Sequence, residues 1–287
     1  MARLAISGIE IDYELIGEEG APAIALTPGG RFPKTTPGLR DLAEKLAAGG
    51  KRVLIWDRPN SGASDISFQG DNESALHAHC LMDLIRALDL GPTTLAAGSA
   101  GSRVSLIAAA YAPDMVSNLV LWWISGGTVG QMFLGAYYYY DSAVAASHGG
   151  MEAVAALPQW AGQLADNPRN RDILLAQDPK AFIEKMQIWA GAMLPSDATP
   201  VSGMTAADFG RLTMPILILR NGPNDVSHPP YVSDQLHRAL PHSELRDPPW
   251  APDCWNDAIV AFNKGEIPGL FLSWPMLAPM ILDFIDR

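Results

Sequence analysis

The stretch Leu95–Asp114, LAAGSAGSRVSLIAAAYAPD, sets one hydroxyl among residues with almost no side chain. Thr93–Ala97 reads as a buried strand, and an alanine-rich helix begins after Ser99. Ser99 therefore falls on a sharp strand-to-helix turn. Such a turn strains the serine backbone, and bulky groups two residues away on either side would clash, which accounts for Ala97 and Gly101. The hydroxyl would then project into a crevice at the carboxyl ends of the strands. The Ala100 N–H, at the start of the helix, would face an oxyanion forming beside it. This is the chemistry of an activated nucleophile. The competing reading, a small-residue turn beneath a dinucleotide, requires G-x-G-x-x-G, which this stretch lacks.

With these residues the chain resembles the α/β-hydrolase fold superfamily, whose pattern G-x-S-x-G appears here with Ala97 in place of the first glycine. Further segments extend the resemblance over nearly the whole chain. LTPGGRF (Leu26–Phe32) stands where the family has His-Gly or His-Gly-Gly, with Pro28 replacing the histidine. The resemblance implies that this glycine pair turns a backbone N–H toward the oxyanion, and Gly30 is the expected donor beside Ala100. Asp57–Ser64 matches D-x-x-G-x-G-x-S with Ser61 replacing a glycine, a turn with a structural role. The residues between Ile124 and Met214 lie where the family carries its lid. The implied protein is a serine hydrolase with a helical lid, similar to esterases and meta-cleavage product hydrolases.

A serine needs a base, and the base an orienting carboxylate. The resemblance implies that the acid follows a strand rich in Val, Ile and Leu. ILILRNGPND puts Asp225 there, in the family's G-x-x-D position, although a plain turn residue is the alternative. The family's histidine, expected near the C-terminus, is missing: none of the six lies beyond His242, and Pro248-Pro249-Trp250 stands where Gly-His-aromatic belongs. His77 and His79 lie on the helix before the Ser99 strand, His237 and His242 on a surface helix and its loop, and His148 beside Gly149-Gly150 in the lid. His228, three residues past Asp225, would overhang the same crevice, with Asp225 or Asp253 holding its tautomer. It is the expected base, against the alternative that it merely starts the following helix.

The elements that must position these groups alternate. Ile9–Leu15, Ala23–Leu26, Arg52–Trp56, Thr93–Ala97 and Asn118–Ile124 read as strands. Helices are expected over Pro37–Ala48 and, capped by Asn72, up to Leu90. That alternation predicts an α/β fold, a mostly parallel sheet with helices on both faces. From about Thr128 to Leu212 only helical patterns occur, and Met214–Arg220 restores the strand. The expected organisation is a core over 1–125 and 213–287, interrupted by a helical cap over 126–212. Trp122, Trp123, Trp160, Trp189 and the run Tyr137–Tyr140 suit a pocket for an apolar or aromatic small molecule, with Met132, Met151, Met186 and Met193 letting it adapt, although most of them must simply pack lid against core. Tyr137–Tyr140 cannot all face inward on one helix. Gly29, Arg31, Trp123, His148 and Trp250 are the expected substrate contacts, Arg31 as partner for a carboxylate, with a surface salt bridge as its alternative.

Composition narrows the classes. Thirty-one acidic against 20 basic residues give a net charge of −11, without the basic cluster that nucleic acid or an anionic membrane surface requires. Cys80 and Cys254 cannot form a disulfide framework, no metal-ligand spacing or cofactor motif appears, and the N-terminus does not read as a signal peptide. The apolar tail from Gly269 is short and broken by Pro275 and Pro279. A cytoplasmic protein with no cofactor, acting on a small-molecule substrate and possibly a homo-oligomer, is expected. The first functional reading is hydrolysis of an ester or related acyl bond. Trp250–Asn263 resembles hydrolases that cleave carbon–carbon bonds of ring-fission products, though without their histidine. A lyase or cyclase is the reading a lost base would favour, and a binding protein whose lid closes on a ligand without turnover is a third.

Overall fold

Residues 2–194 and 199–287 are described in a computed structural model. Eight strands form one sheet: β1 (Ala2–Ile6), β2 (Ile9–Ile16), β3 (Ala23–Thr27), β4 (Arg52–Trp56), β5 (Thr93–Gly98), β6 (Val116–Trp122), β7 (Ile216–Leu219) and β8 (Glu244–Arg246). Their spatial order is β1-β2-β4-β3-β5-β6-β7-β8. The hairpin β1–β2 is antiparallel and β2 pairs antiparallel with β4; every pairing from β4 to β8 is parallel. The chain is thus α/β, as the alternation predicts.

Both faces of the sheet are covered because each central strand is apolar on both. Along β4, Leu54 and Trp56 belong to one core while Val53 and Ile55 belong to the other, the two-residue period of a pleated strand. The first face carries α2 (Glu73–Ala87), α3 (Ala100–Tyr111) and α10 (Pro230–Ala239); the second carries α1 (Leu39–Ala48) and α12 (Ala278–Ile285). Helix α1 buries Leu39, Leu42, Ala43 and Leu46, one helical stripe, and truncating one of those leucines to alanine costs about 2–5 kcal/mol. Asn72 caps α2, its Oδ1 accepting the N–H groups of Ser74 at 2.8 Å and Ala75 at 3.3 Å. The helix ends at Ala87 rather than Leu90, and β6 ends at Trp122 because Trp123 turns to φ 45°.

Between β6 and β7 the described residues are largely helical: α4 (Thr128–Gly135), a π-helical turn over Ala136–Tyr140, α5 (Asp141–Ala155), α6 (Pro158–Asp166), α7 (Arg169–Leu175), α8 (Pro179–Ala192) and the single turn α9 (Ala206–Phe209). Met151, Trp160, Phe182, Met186, Trp189 and Met193 make a third core here, sealed by Phe68 from the loop before α2, whose ring lies 5.1–6.0 Å from those of Phe182, Trp160 and Trp189. The expected lining of a pocket is therefore mostly packing. Met132 is instead exposed, and of the tyrosine run Tyr137 and Tyr140 are exposed while Tyr139 is buried. Helix α11 (Cys254–Asn263) follows β8. No described helix is long and apolar enough to cross a membrane.

The end of β3 and the start of α3 meet at Gly101, where a Cβ would stand 2.2 Å from the Thr27 carbonyl oxygen. Gly101→Ala must push backbone from backbone, so urea unfolding is expected to lose about 1–3 kcal/mol with an unchanged m-value. An undiminished midpoint would contradict this close approach.

Candidate active site

Ser99 ends β5 with φ 56° and ψ −129°, a backbone that a residue with a Cβ adopts at a cost of order 1–3 kcal/mol. Its surroundings impose it. The Ser99 N–H donates to the Trp122 carbonyl at 3.2 Å, while the Ser99 carbonyl accepts the N–H of Ser102 at 3.0 Å and its hydroxyl at 2.6 Å. The loop after β3 packs directly on the serine: a Cβ on Gly29 would lie 2.3 Å from the Ser99 Cβ.

The hydroxyl turned out by this kink meets His228. Its Oγ lies 2.8 Å from His228 Nε2, and His228 Nδ1 lies 2.7 Å from Asp225 Oδ2. The other carboxylate oxygen, Asp225 Oδ1, accepts the backbone N–H of Ser227 at 2.9 Å and of His228 at 2.8 Å. One side chain thus closes the loop on itself and holds the ring of its last residue. Trp123 stacks on the imidazole at 6.2 Å and 17°, and Trp255 meets it edge-on at 4.8 Å. Asn221 joins this loop to the end of β6: its Oδ1 accepts the Ile124 N–H at 2.9 Å, and its Nδ2 donates to the carbonyls of Ile124 and Pro229, both at 3.1 Å.

On the other side of Ser99 stand two backbone N–H groups. Ala100 is the first residue of α3, so its N–H has no acceptor within the helix and lies at the positive end of the helix dipole. The carbonyls of Gly29 and Gly30 both accept from Arg58 Nη2. In a trans peptide the N–H opposes the carbonyl, so anchoring the Gly29 oxygen on Arg58 turns the Gly30 N–H away from it. Gly30 and Ala100 also line a cavity of about 20 Å³ with Arg31, Arg58, Arg103, Glu73 and His77. Burial would raise the Glu73 carboxyl, but Arg31, His77, Tyr139 and Asn60 reverse this and hold it at about 2. Burial pushes His77 down to about 3 and Arg58 to about 10, so near pH 7 the imidazole is neutral and the guanidinium charged.

Of the expected positions, Ser99, Asp225 and His228 come together, with Gly29, Gly30 and Ala100 beside them and Trp123 against the imidazole. Trp250 is one step removed, packing on Trp123 at 5.2 Å and lining a separate cleft with Arg220 and Pro252. His148 does not join them: it lies exposed on α5, and no contact brings it to the serine. Arg31 is not a free cation at the rim. Its side chain, 7% exposed, is paired with Glu73 at 3.3 Å and held over the rings of Trp160 and Tyr138. Asp253 is bound to Asn224 at 2.8 Å instead of the imidazole.

Sequence reasoning missed Arg58, Glu73, Arg103, Asn221 and Trp255. Arg103 had a signal, a lone charge in an apolar helix one turn beyond Ser99 and hence on the same face. Asn221, one residue after a buried strand, had none.

A family model described as "alpha/beta hydrolase fold" matches residues 32–123. The "Serine hydrolase BPHL" proteins of Homo sapiens and Mus musculus are each 32% identical over 127 residues, 42% of this chain and 42% of theirs, so the chain spans less than half the length of the curated relatives it matches. The whole chain superposes on all of an enol-lactonase from Burkholderia xenovorans LB400, with a TM-score of 0.63 and 18% identity. It also superposes on 98% of MGS-M2, an alpha/beta hydrolase from a Medee basin deep-sea metagenome library, with a TM-score of 0.64 and 16% identity. At such identities the likeness is one of fold.

The buried imidazole of His77 makes stability depend on pH. Its folded value lies near 3 against 6.5 in the open chain, so from pH 6.5 downward the unfolded state takes up a proton that the folded state refuses. The stability is complete above pH 6.5 and is lost as pH falls toward 3. Glu73 acts in the same direction only below about 4.5. Between pH 6.5 and 4.5, wild type should therefore lose more unfolding free energy than His77→Gln, by up to about 1.4 kcal/mol per pH unit. Parallel urea curves for the two proteins across this window would contradict it.

Proposed function

We propose that this chain, which has the α/β-hydrolase fold, is a cofactor-independent serine hydrolase cleaving an ester or related acyl bond of a small molecule. The observation that carries this reading is the unbroken contact chain Ser99 Oγ–His228 Nε2–Asp225 Oδ2, at 2.8 and 2.7 Å. Asp225 fixes the tautomer that carries its proton on Nδ1, leaving Nε2 free to accept the Ser99 proton as Oγ attacks the carbonyl carbon. The charge that forms on the carbonyl oxygen is met by the Gly30 and Ala100 N–H groups, preorganised so that they need not reorient during the reaction. The imidazolium, flanked by two indole rings, returns its proton to the leaving group. A water, deprotonated by the same nitrogen, then releases the acid from Ser99.

The contact of His228 with Ser99 supports hydrolysis over a lyase or cyclase, a reading that rested on a lost base. The residues over 126–212 would serve as a lid, a role supported by Tyr138, whose hydroxyl lies 3.2 Å from the point where a Gly30 Cβ would stand. The apolar or aromatic portion of the substrate would lie beneath that segment, whose Leu134, Tyr138 and Met193 reach the neighbourhood of Ala100. The enzyme would act in the cytoplasm.

A fluorophosphonate probe should label wild type stoichiometrically and Ser99→Ala not at all. His228→Ala should retain the fold by circular dichroism but lose a factor of about 10³ or more in kcat/KM for a 4-nitrophenyl ester. Undiminished ester turnover in that variant would retire His228 as the base.

A further inference from the structure

The cavity beside Gly30 and Ala100 is lined by three guanidinium groups and one carboxylate. All four side chains are withdrawn from solvent: those of Arg31 and Glu73 are 7% and 8% exposed, and Arg58 and Arg103 are buried residues. Glu73 is already engaged, accepting from Arg31 Nη2, from Asn60 Nδ2 at 2.7 Å and from the Tyr139 hydroxyl at 2.7 Å. The nearby Asp57 faces elsewhere, toward Lys34 Nζ at 3.0 Å and the N–H groups of Lys34 and Ala63. Arg103 donates through Nε to Ser74 Oγ and through Nη1 to Gln131 Oε1. Left over are donors without acceptors: Arg31 Nε and Nη1, Arg58 Nε and Gln131 Nε2, all buried.

Buried cations are stable when paired, and an N–H cut off from both water and an acceptor is costly. Unpartnered arginine donors around one hollow call for an acceptor there, and three guanidinium charges against one carboxylate favour an anionic one over a water. A void of about 20 Å³ admits one small polar group, about the room a single water needs. A carboxylate suits it, being planar, with two oxygens to meet the parallel N–H groups of a guanidinium. Because the wall of the hollow is shared with the two residues proposed to hold the scissile carbonyl oxygen, a carboxylate bound there would lie a few bonds from that carbonyl, and we place it on the acyl side.

We propose that Arg31, Arg58 and Arg103 form a carboxylate subsite, and that the substrate is a half-ester, or related acyl derivative, of a short dicarboxylic acid. This deepens the hydrolase reading and rests on it for the position of the carbonyl. No new chemical step is involved: the carboxylate binds, and the ester at the other end is cleaved.

The test compares the 4-nitrophenyl half-esters of succinate and glutarate with the 4-nitrophenyl esters of butanoate and pentanoate. Wild type should prefer the half-esters at least tenfold in kcat/KM, and Arg31→Gln and Arg103→Gln should bring that ratio toward one. Arg31→Lys, which keeps the charge but loses the fork, should give an intermediate ratio and guards against variants that do not fold. Calorimetry with glutarate on Ser99→Ala, with and without Arg31→Gln, reads the subsite without turnover; binding should vanish in the double variant. Brisk cleavage of the neutral esters with no preference for the half-esters overturns the subsite and spares the hydrolase reading. Glutarate binding that depends on Arg31, in a protein inert toward every ester, upholds the anion site and fails the hydrolase reading instead. Stabilisation by chloride or formate without any half-ester preference overturns the assignment to substrate.

Discussion

Everything at this site depends on a single residue being held in a backbone conformation that its own Cβ disfavours. Ser99 stays there because the carbonyl of Trp122 takes its N–H, Ser102 ties down its carbonyl, and the backbones of the β3 loop and helix α3 leave it no other course. The small residues around it are the consequence. Where Gly29 packs on the serine and Gly101 on the end of β3, a methyl group would occupy space already filled by main chain or by Ser99 itself. The same crowding packs Gly29 on the serine and sets the start of α3 directly after it, so the strained backbone and its small neighbours have one cause.

The partner groups are assembled by an equally local device. Asp225 uses one oxygen to cap the turn through two backbone N–H groups and the other to hold the imidazole three residues on. A carboxylate so engaged has little freedom to leave the ring, and the ring, between Trp123 and Trp255, has little freedom to rotate. The amide of Asn221 then sets this loop against the end of β6, next to the strand that carries Ser99.

Much of this was legible in the residues. The strands β2 to β7 follow from apolar runs bounded by Gly, Pro and Asn, and the Ser99 turn from the small residues flanking one polar one. His228, which meets Ser99 and Asp225, was legible only as the histidine nearest Asp225 along the chain, because the place where the resemblance implies a histidine holds Pro248-Pro249-Trp250. His148 illustrates the limit: being in the right segment says nothing about the face of a helix, and its face is the solvent side. The arginine cluster was illegible for another reason. Arg31, Arg58 and Arg103 come from three separate elements, and only the folded chain reveals that Glu73 alone among the cavity's side chains answers their charge. That most aromatics between β6 and β7 pack rather than line a pocket was expected; their partner Phe68, from the loop before α2, was not.

Because Asp225 and His228 share one short loop after β7, the chain beyond it adds packing to that pair and, among the described residues, no further polar contact. Its strand β8 is three residues long, and helix α11 carries no buried residue. The aromatic side chains of Trp250 and Trp255 are the main debt this stretch owes to the imidazole. A change in that tail would register as lost packing around Phe271, Trp274 and Ile281 rather than as a broken contact between Ser99, His228 and Asp225.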